Sequence, residues 1–286
     1  MAIRTDLAIE VMENADIPAE HAVQTQKNLQ GFLLTQVRIL KKSDKTGRPP
    51  GLYSTLSADA LLRREADAFP RACRAVAQAL TELAAGTDPE APVLVVGLGN
   101  RAVTPDALGP LCCRHVLATR HLTDRFRAFR PISVLAPGVL GTTGMETGEI
   151  VRGVISRVHP SMVIAVDALA ARRLRRLMCT IQLTDTGIVP GSGVGNARAA
   201  LTEEQLGIPV LAAGVPTVVD GATLASDIAA QSGASCEALD DLCTPVLITT
   251  RDADQQVRDA ARVIGYGIDL FLHPSLDIAD IDLFLS

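Results

Sequence analysis

The run Val93-Leu94-Val95-Val96-Gly97 contains no polar position. A strand with one face in water alternates apolar and polar residues. An unbroken apolar run therefore describes a strand covered on both faces, the situation of a parallel sheet sandwiched between helices. Further strand segments follow at residues 132–136 (ISVLA), 162–166 (MVIAV), 179–184 (CTIQLT) and 209–215 (PVLAAGV), and residues 107–119 read as a helix between two of these segments. The alternation predicts an α/β fold: a mostly parallel central sheet with helices on both faces. Aromatic residues make up only 3% of the chain and Trp is absent, so Val, Ile, Leu and Ala must fill the core.

The flanks are less regular. Residues 1–30 are polar and mixed, 31–40 (GFLLTQVRIL) read as a strand, and 41–55 (KKSDKTGRPPGLYST) as a turn-rich loop. Ser57 can cap a helix start. Phe69, Cys73, Val76, Leu80 and Leu83 then recur at helical spacing, with Pro70 marking a break or a first turn and Gly86 a stop. Near the end, QVRDAARVIGYGIDLFLH is an apolar-striped helix that should dock on the body.

A net charge of −5 argues against a broad nucleic-acid surface, so no direct nucleic-acid partner is expected. The six cysteines include no C-x-x-C pair, and several lie in apolar runs, as buried reduced thiols do. With no apolar N-terminal stretch and no run long enough to span a bilayer, the chain reads as cytoplasmic, without a membrane partner. The five histidines are scattered, H-E-x-x-H and G-x-S-x-G are absent, and no metal or cofactor is expected.

Gly97-Leu98-Gly99-Asn100-Arg101-Ala102 fits the G-x-G-x-x-G/A spacing of a dinucleotide turn. Such a turn should open straight into a helix, and the next strand should end in an acid. Here Val103-Thr104-Pro105 intervenes, and the next strand ends at Ala136-Pro137-Gly138. A nucleotide-binding module using Gly97 and Gly99 is thus an alternative resting on spacing alone. The second glycine run, 190–196 (PGSGVGN), lacks the Lys-Ser/Thr of a P-loop; its Gly191 and Gly193 read as a tight turn in a functional rim.

Two acids stand out instead. Thr104-Pro105-Asp106 has the form of a helix start, with Thr as N-cap, and lies just past a central strand, where open α/β sheets place their ligands. Asp167 ends the apolar run MVIAVD, a costly place for a carboxylate without a partner. If the two strands are neighbours, their ends lie roughly 5 Å apart. The pair could then hold one water, the ionised member as base and the protonated one as acid, with Asp106 the expected base. Asp185-Thr186-Gly187 spells the triplet of pepsin-like peptidases, which are all-β, so Asp185 is expected only to line the site, together with Gly97, Gly99 and Asn100. The cluster Arg172, Arg173, Arg175, Arg176 reads as a solvated helix face, or as a grip on acidic groups of a polypeptide.

Taken together, VVGLGN…VTPDALGP, TTGMETGEI (142–150), VDALAAR (166–172), TIQLTDTGIVPGSGVGN (180–196) and GVPTVVDGATLAS (214–226) resemble the germination protease of spore-forming bacteria, from Arg4 to the end of the chain. The resemblance implies an atypical aspartic endopeptidase that degrades small acid-soluble spore proteins during germination, in the cytoplasm of the forespore and spore core. It implies a fold similar to hydrogenase maturation endopeptidases and a tetrameric homo-oligomer. It also implies catalytic roles for Asp106 and Asp167, the acids singled out above.

Members of this family are zymogens that shed a propeptide by self-cleavage. Arg4-Thr5-Asp6-Leu7-Ala8 imitates their substrate site, so the cut is expected between Asp6 and Leu7; without the resemblance, the stretch reads as a helix start. The domain reading follows: a propeptide over 1–6, then one peptidase domain over 7–286 in which 7–90 packs on a core of 91–286. The stretch between about Asp227 and Thr249 is shorter than in typical members. The runner-up among enzymes is a hydrogenase-maturation-type endopeptidase, which would want a histidine beside the two acids.

Overall fold

A computed structural model of the protein describes residues 5–14, 17–43, 46–122, 129–195, 198–232 and 246–286. Among them nine strands form one sheet: β1 (Ala22–Leu29), β2 (Phe32–Ile39), β3 (Gly51–Ser57), β4 (Val93–Gly97), β5 (Ile132–Leu135), β6 (Met162–Ala171), β7 (Thr180–Thr184), β8 (Val210–Asp220) and β9 (Leu247–Ile248). Their order is β1-β2-β3-β7-β8-β6-β4-β5, with β9 paired to β8.

The α/β architecture is the expected one, and its parallel half is β8-β6-β4-β5. β4 and residues 162–166 of β6 are unbroken apolar runs covered on both faces, whereas the edge strand β5 is only partly buried. Val93 and Val95 of β4, with Ile164 and Val166 of β6, point to the side of the Ala68–Leu83 and Ala253–Leu272 helices. Leu94, Val96, Val163 and Ala165 point the opposite way, toward Val151 on the Thr147–Val158 helix. Alternate residues of a strand leave on opposite faces, so every position of such a run meets a layer.

The other half is antiparallel: β1, β2, β3 and β7 extend the sheet from β8. This extension was only partly expected. β2 matches its predicted span, but β1 carries no strand signal because all but its first residue are exposed or nearly so. It is an edge strand held by backbone pairing and by the Gln30-Gly31 turn, whose φ values of 55° and 85° suit a tight hairpin. β3 occupies residues assigned above to a loop; the turn formers stop at Pro50, and Leu52, Tyr53 and Leu56 are buried. β7, expected in the parallel series, runs antiparallel to β8.

Helices differ in detail. The helical face of Cys73, Val76, Leu80 and Leu83 is buried as predicted, and Pro70 lies in the first turn. The predicted 107–119 helix shortens to Leu108–Cys112 plus one 3-10 turn, Cys113–His115. The described cysteines, Cys73, Cys112, Cys113 and Cys179, are free; Cys236 and Cys243 lie outside the described residues. No helix among the described residues is long and apolar enough to cross a membrane.

Candidate active site

The site forms where β4 stops and its neighbour continues. Gly97 pairs with Val166, and the N–H of Leu98 donates to the Val166 carbonyl at 2.8 Å. The chain then leaves the sheet at Gly99, whose φ is +109° and where an added Cβ would lie 2.1 Å from the Asp106 carbonyl oxygen. Only glycine fits a left-handed position that close to another backbone segment. The N–H of Asn100 donates to Oδ2 of Asp106 at 2.7 Å.

Thr104–Asp106 is one 3-10 turn, so the predicted N-cap role of Thr104 is not what the residue does. Its hydroxyl donates to Asp254 at 2.6 Å, while Thr217 donates to the Pro105 carbonyl at 2.7 Å. These two bonds tie the turn to the Ala253–Leu272 helix and to β8. The same geometry answers the nucleotide reading. The turn's N–H at Asn100, which a phosphate would need, is taken by the chain's own carboxylate.

Asp167 does not end its strand, as the sequence suggested. β6 runs on to Ala171, and Asp167 is the first residue beyond the end of its pairing with β4. It is 4% exposed, and its Oδ1 accepts from the Ala168 N–H at 2.9 Å. Burial pushes its carboxyl well above the ordinary range, and the nearby charges of Asp106 and Asp6 push the same way. Asp106 is half-buried; burial also raises it, but the Asn100 N–H opposes the shift. The two carboxyls are thus driven apart, Asp167 toward the protonated form and Asp106 less so.

Both acids line a cleft of about 620 Å³, together with Leu98, Gly99, Asn100, Gly191 and Asp6. The presence of Asp6 brings the predicted cleavage site into the same cavity as the predicted aspartate pair. Leu7, the next residue, is fully buried in the core. Residues 1–4 lie outside the described residues.

The remaining expected lining residues are distributed differently. Gly97 lies behind the cleft, against Gly109 and Cys113. Gly193 is not on the cleft wall but backs Asp6: a Cβ there would sit 2.1 Å from Asp6 Oδ2. Asp185 is elsewhere, accepting the Leu52 N–H at 2.8 Å and so joining the antiparallel extension. Sequence reasoning missed Ser192 and Gln182, which both hold Asp6. The signal for Gln182 was a lone amide inside the strand segment CTIQLT, a buried polar group that must have a partner.

The arginine cluster is not a helix face. It sits at the end of β6 and on the 3-10 turn Leu174–Arg176. It grips acids, but those of its own chain. Arg172 makes a forked pair with Asp227, and Arg175 and Arg176 reach Glu13. Fully buried Glu10 accepts the N–H groups of Arg172 and Arg173 at 2.7 and 2.8 Å and the Thr5 hydroxyl. His115 packs against Tyr266, and buried His273 is driven down to about 4 by desolvation; neither lines the cleft. Among the described residues no group of three or more His, Cys, Asp or Glu could hold a metal ion.

The family match and the relatives of similar sequence agree with one another. The family model described as germination protease matches residues 5–231. The germination protease of Caldanaerobacter subterraneus subsp. tengcongensis is 40% identical, over 96% of this chain and 96% of its own length. That of Clostridium acetobutylicum is 34% identical over 100% of this chain and 99% of its own. That of Bacillus pumilus is 44% identical over 79% of this chain and 66% of its own. A solved [NiFe] hydrogenase maturation protease, HycI from Thermococcus kodakarensis KOD1, aligns at 16% identity over 66% of this chain and 98% of that one, with a TM-score of 0.37, too low to carry an argument. On the family match and on relatives aligned along nearly its whole length, this chain belongs to the germination protease family and is a peptidase.

Proposed function

We propose that the protein is an aspartic-type endopeptidase in which Asp106 and Asp167 activate water. Asp106, the less strongly raised carboxyl, takes a proton from the water as its hydroxyl adds to the scissile carbonyl. Asp167 gives its proton to the carbonyl oxygen. The resulting diol collapses as Asp106 gives its proton to the leaving amine and one diol hydroxyl returns a proton to Asp167, which restores both carboxyls. The observation that carries this reading is the pair itself: one carboxyl on β6 and one on the 3-10 turn that follows its parallel neighbour β4, driven up unequally, in one cleft.

On this reading the chain is a self-processing zymogen that releases residues 1–6 by cutting between Asp6 and Leu7. Its substrates are small acid-soluble spore proteins, degraded during germination in the cytoplasm of the spore core, and its assembly is a homo-tetramer. The place of Asp6 in the cleft supports self-processing.

The test is incubation with a purified small acid-soluble spore protein, comparing wild type with Asp106→Asn and Asp167→Asn. Each variant should lose at least about a hundredfold in rate, the low end for a general acid or base. Full activity in either removes the mechanism. N-terminal sequencing of the activated protein should begin at Leu7.

A further inference from the structure

Beyond Gly97, β4 no longer covers the edge of β6, so among the described residues the N–H and C=O of Ala170 on that side have no strand partner. Residue Asp6 fills the gap. Its N–H donates to the Ala170 carbonyl at 2.8 Å, and its Oδ2 accepts the Ala170 N–H at 2.9 Å. The Ser192 hydroxyl donates to Oδ1 at 2.7 Å. Gly193 lies against Oδ2 so closely that no side chain fits between them. The main chain is held as well: Gln182 Nε2 donates to the Asp6 carbonyl at 2.8 Å, and Gln182 Oε1 accepts the Ala8 N–H at 2.7 Å.

This is a built receptor for an extended chain bearing a carboxylate. It adds a peptide to an open strand edge and satisfies both carboxylate oxygens with oriented donors. We infer that Ser192, the Ala170 N–H and the space left by Gly193 form the subsite that recognises an acidic substrate side chain, with Gln182 holding the adjoining carbonyl. The chain's own Asp6 occupies that subsite here, and an acidic residue of a substrate takes its place once residues 1–6 leave. The Ala8 N–H stays on the processed chain and keeps the Gln182 amide turned with its N–H toward the vacated position. The inference rests on the protease reading above and adds to it the residues that read the substrate.

The test uses the full-length chain, allowed to mature, and two synthetic peptides spanning residues 1–12, one native and one carrying Asp6→Asn. An amide keeps an acceptor but exchanges charge-assisted bonds for neutral ones, so the native peptide should be cut at least about tenfold more efficiently in kcat/KM. Ser192→Ala should shrink that ratio several-fold, and Ser192→Thr, which keeps the hydroxyl, should largely preserve it. Gln182→Ala should lower kcat/KM for both peptides and leave their ratio unchanged. A ratio that is the same in wild type and folded Ser192→Ala overturns the subsite. Failure of the wild type to cut either peptide or a small acid-soluble spore protein overturns the protease reading instead. Self-release of residues 1–6 gives a second measure in the full chain: Asp6→Asn and Ser192→Ala should each slow it, and the double variant should be little slower than either. Additive slowing counts against the contact.

Discussion

The backbone N–H of Asn100 donates to Oδ2 of Asp106 at 2.7 Å, across six residues. The glycine turn and the acid it delivers are therefore one unit. The bond favours the charged carboxylate of Asp106, whereas Asp167, 4% exposed, accepts among the described residues from the N–H of its neighbour Ala168. That asymmetry is the physical basis for the proposed division of labour between two chemically identical groups.

It sets a pH dependence. On the proposed mechanism, activity requires Asp106 ionised and Asp167 protonated. kcat/KM should rise as Asp106 loses its proton and fall as Asp167 does, with both limbs above the ordinary carboxylate value of about 4. The two apparent values belong to the coupled pair. A peptide-cleavage profile without the alkaline limb contradicts the assignment of Asp167 as the acid.

Asp167 also carries a stability cost with a definite sign. Its pKa is raised in the folded chain, so between the unfolded and folded values the native state binds more protons, and stability falls as pH rises through that window. Asp167→Asn removes the titration. The variant should melt a few degrees above wild type at neutral pH, and the gain should vanish in acid, below the ordinary carboxylate range. A variant that melts lower at neutral pH by calorimetry would show that the carboxyl is stabilised by contacts an amide cannot make.

Gly99→Ala tests the turn. A non-glycine residue at φ +109° costs of order 1–3 kcal/mol, and the new methyl would meet the Asp106 carbonyl. The fold has other anchors, so the thermal midpoint should fall by only several degrees. Displacing Asp106 should reduce cleavage by about a hundredfold, as small misplacements of catalytic groups do. Equal losses of activity and of folded fraction would count against a positional role.

Glu10 tests how the N-terminal segment is fastened. It is fully buried and accepts two backbone N–H groups from the arginine loop. Glu10→Ala strands those donors, and urea unfolding should show a loss of about 2–4 kcal/mol. Glu10→Gln keeps an acceptor and should lose clearly less. An unaffected Glu10→Ala would mean that the segment contributes little to global stability.

Much of the parallel half was legible. β4, residues 162–166 of β6 and residues 210–216 of β8 are apolar without interruption because both faces are covered, and that condition is written in each strand locally. An acid that breaks or closely follows such a run is visible for the same reason, so Asp106 and Asp167 stand out in the amino-acid sequence itself. The antiparallel extension was less legible. β1 is polar on both sides, held by pairing to β2 rather than by burial, and no local pattern records a partner strand. Asp185 misled for a related reason: a short triplet says nothing about which backbone its carboxylate will meet, and it meets Leu52.

The residues alone determined a two-sided parallel sheet with two carboxyls near its carboxyl edge, since burial demands that pattern of each strand by itself. The fold decided the company those carboxyls keep. Asp6 reaches Ala170 and Ser192 across 164 and 186 residues of chain, and Glu10 reaches Arg172 across 162. Hydrogen bonds of that range depend on where β4 stops and leaves an edge open. That endpoint is set by the packing of the whole sheet, not by any segment's own preference.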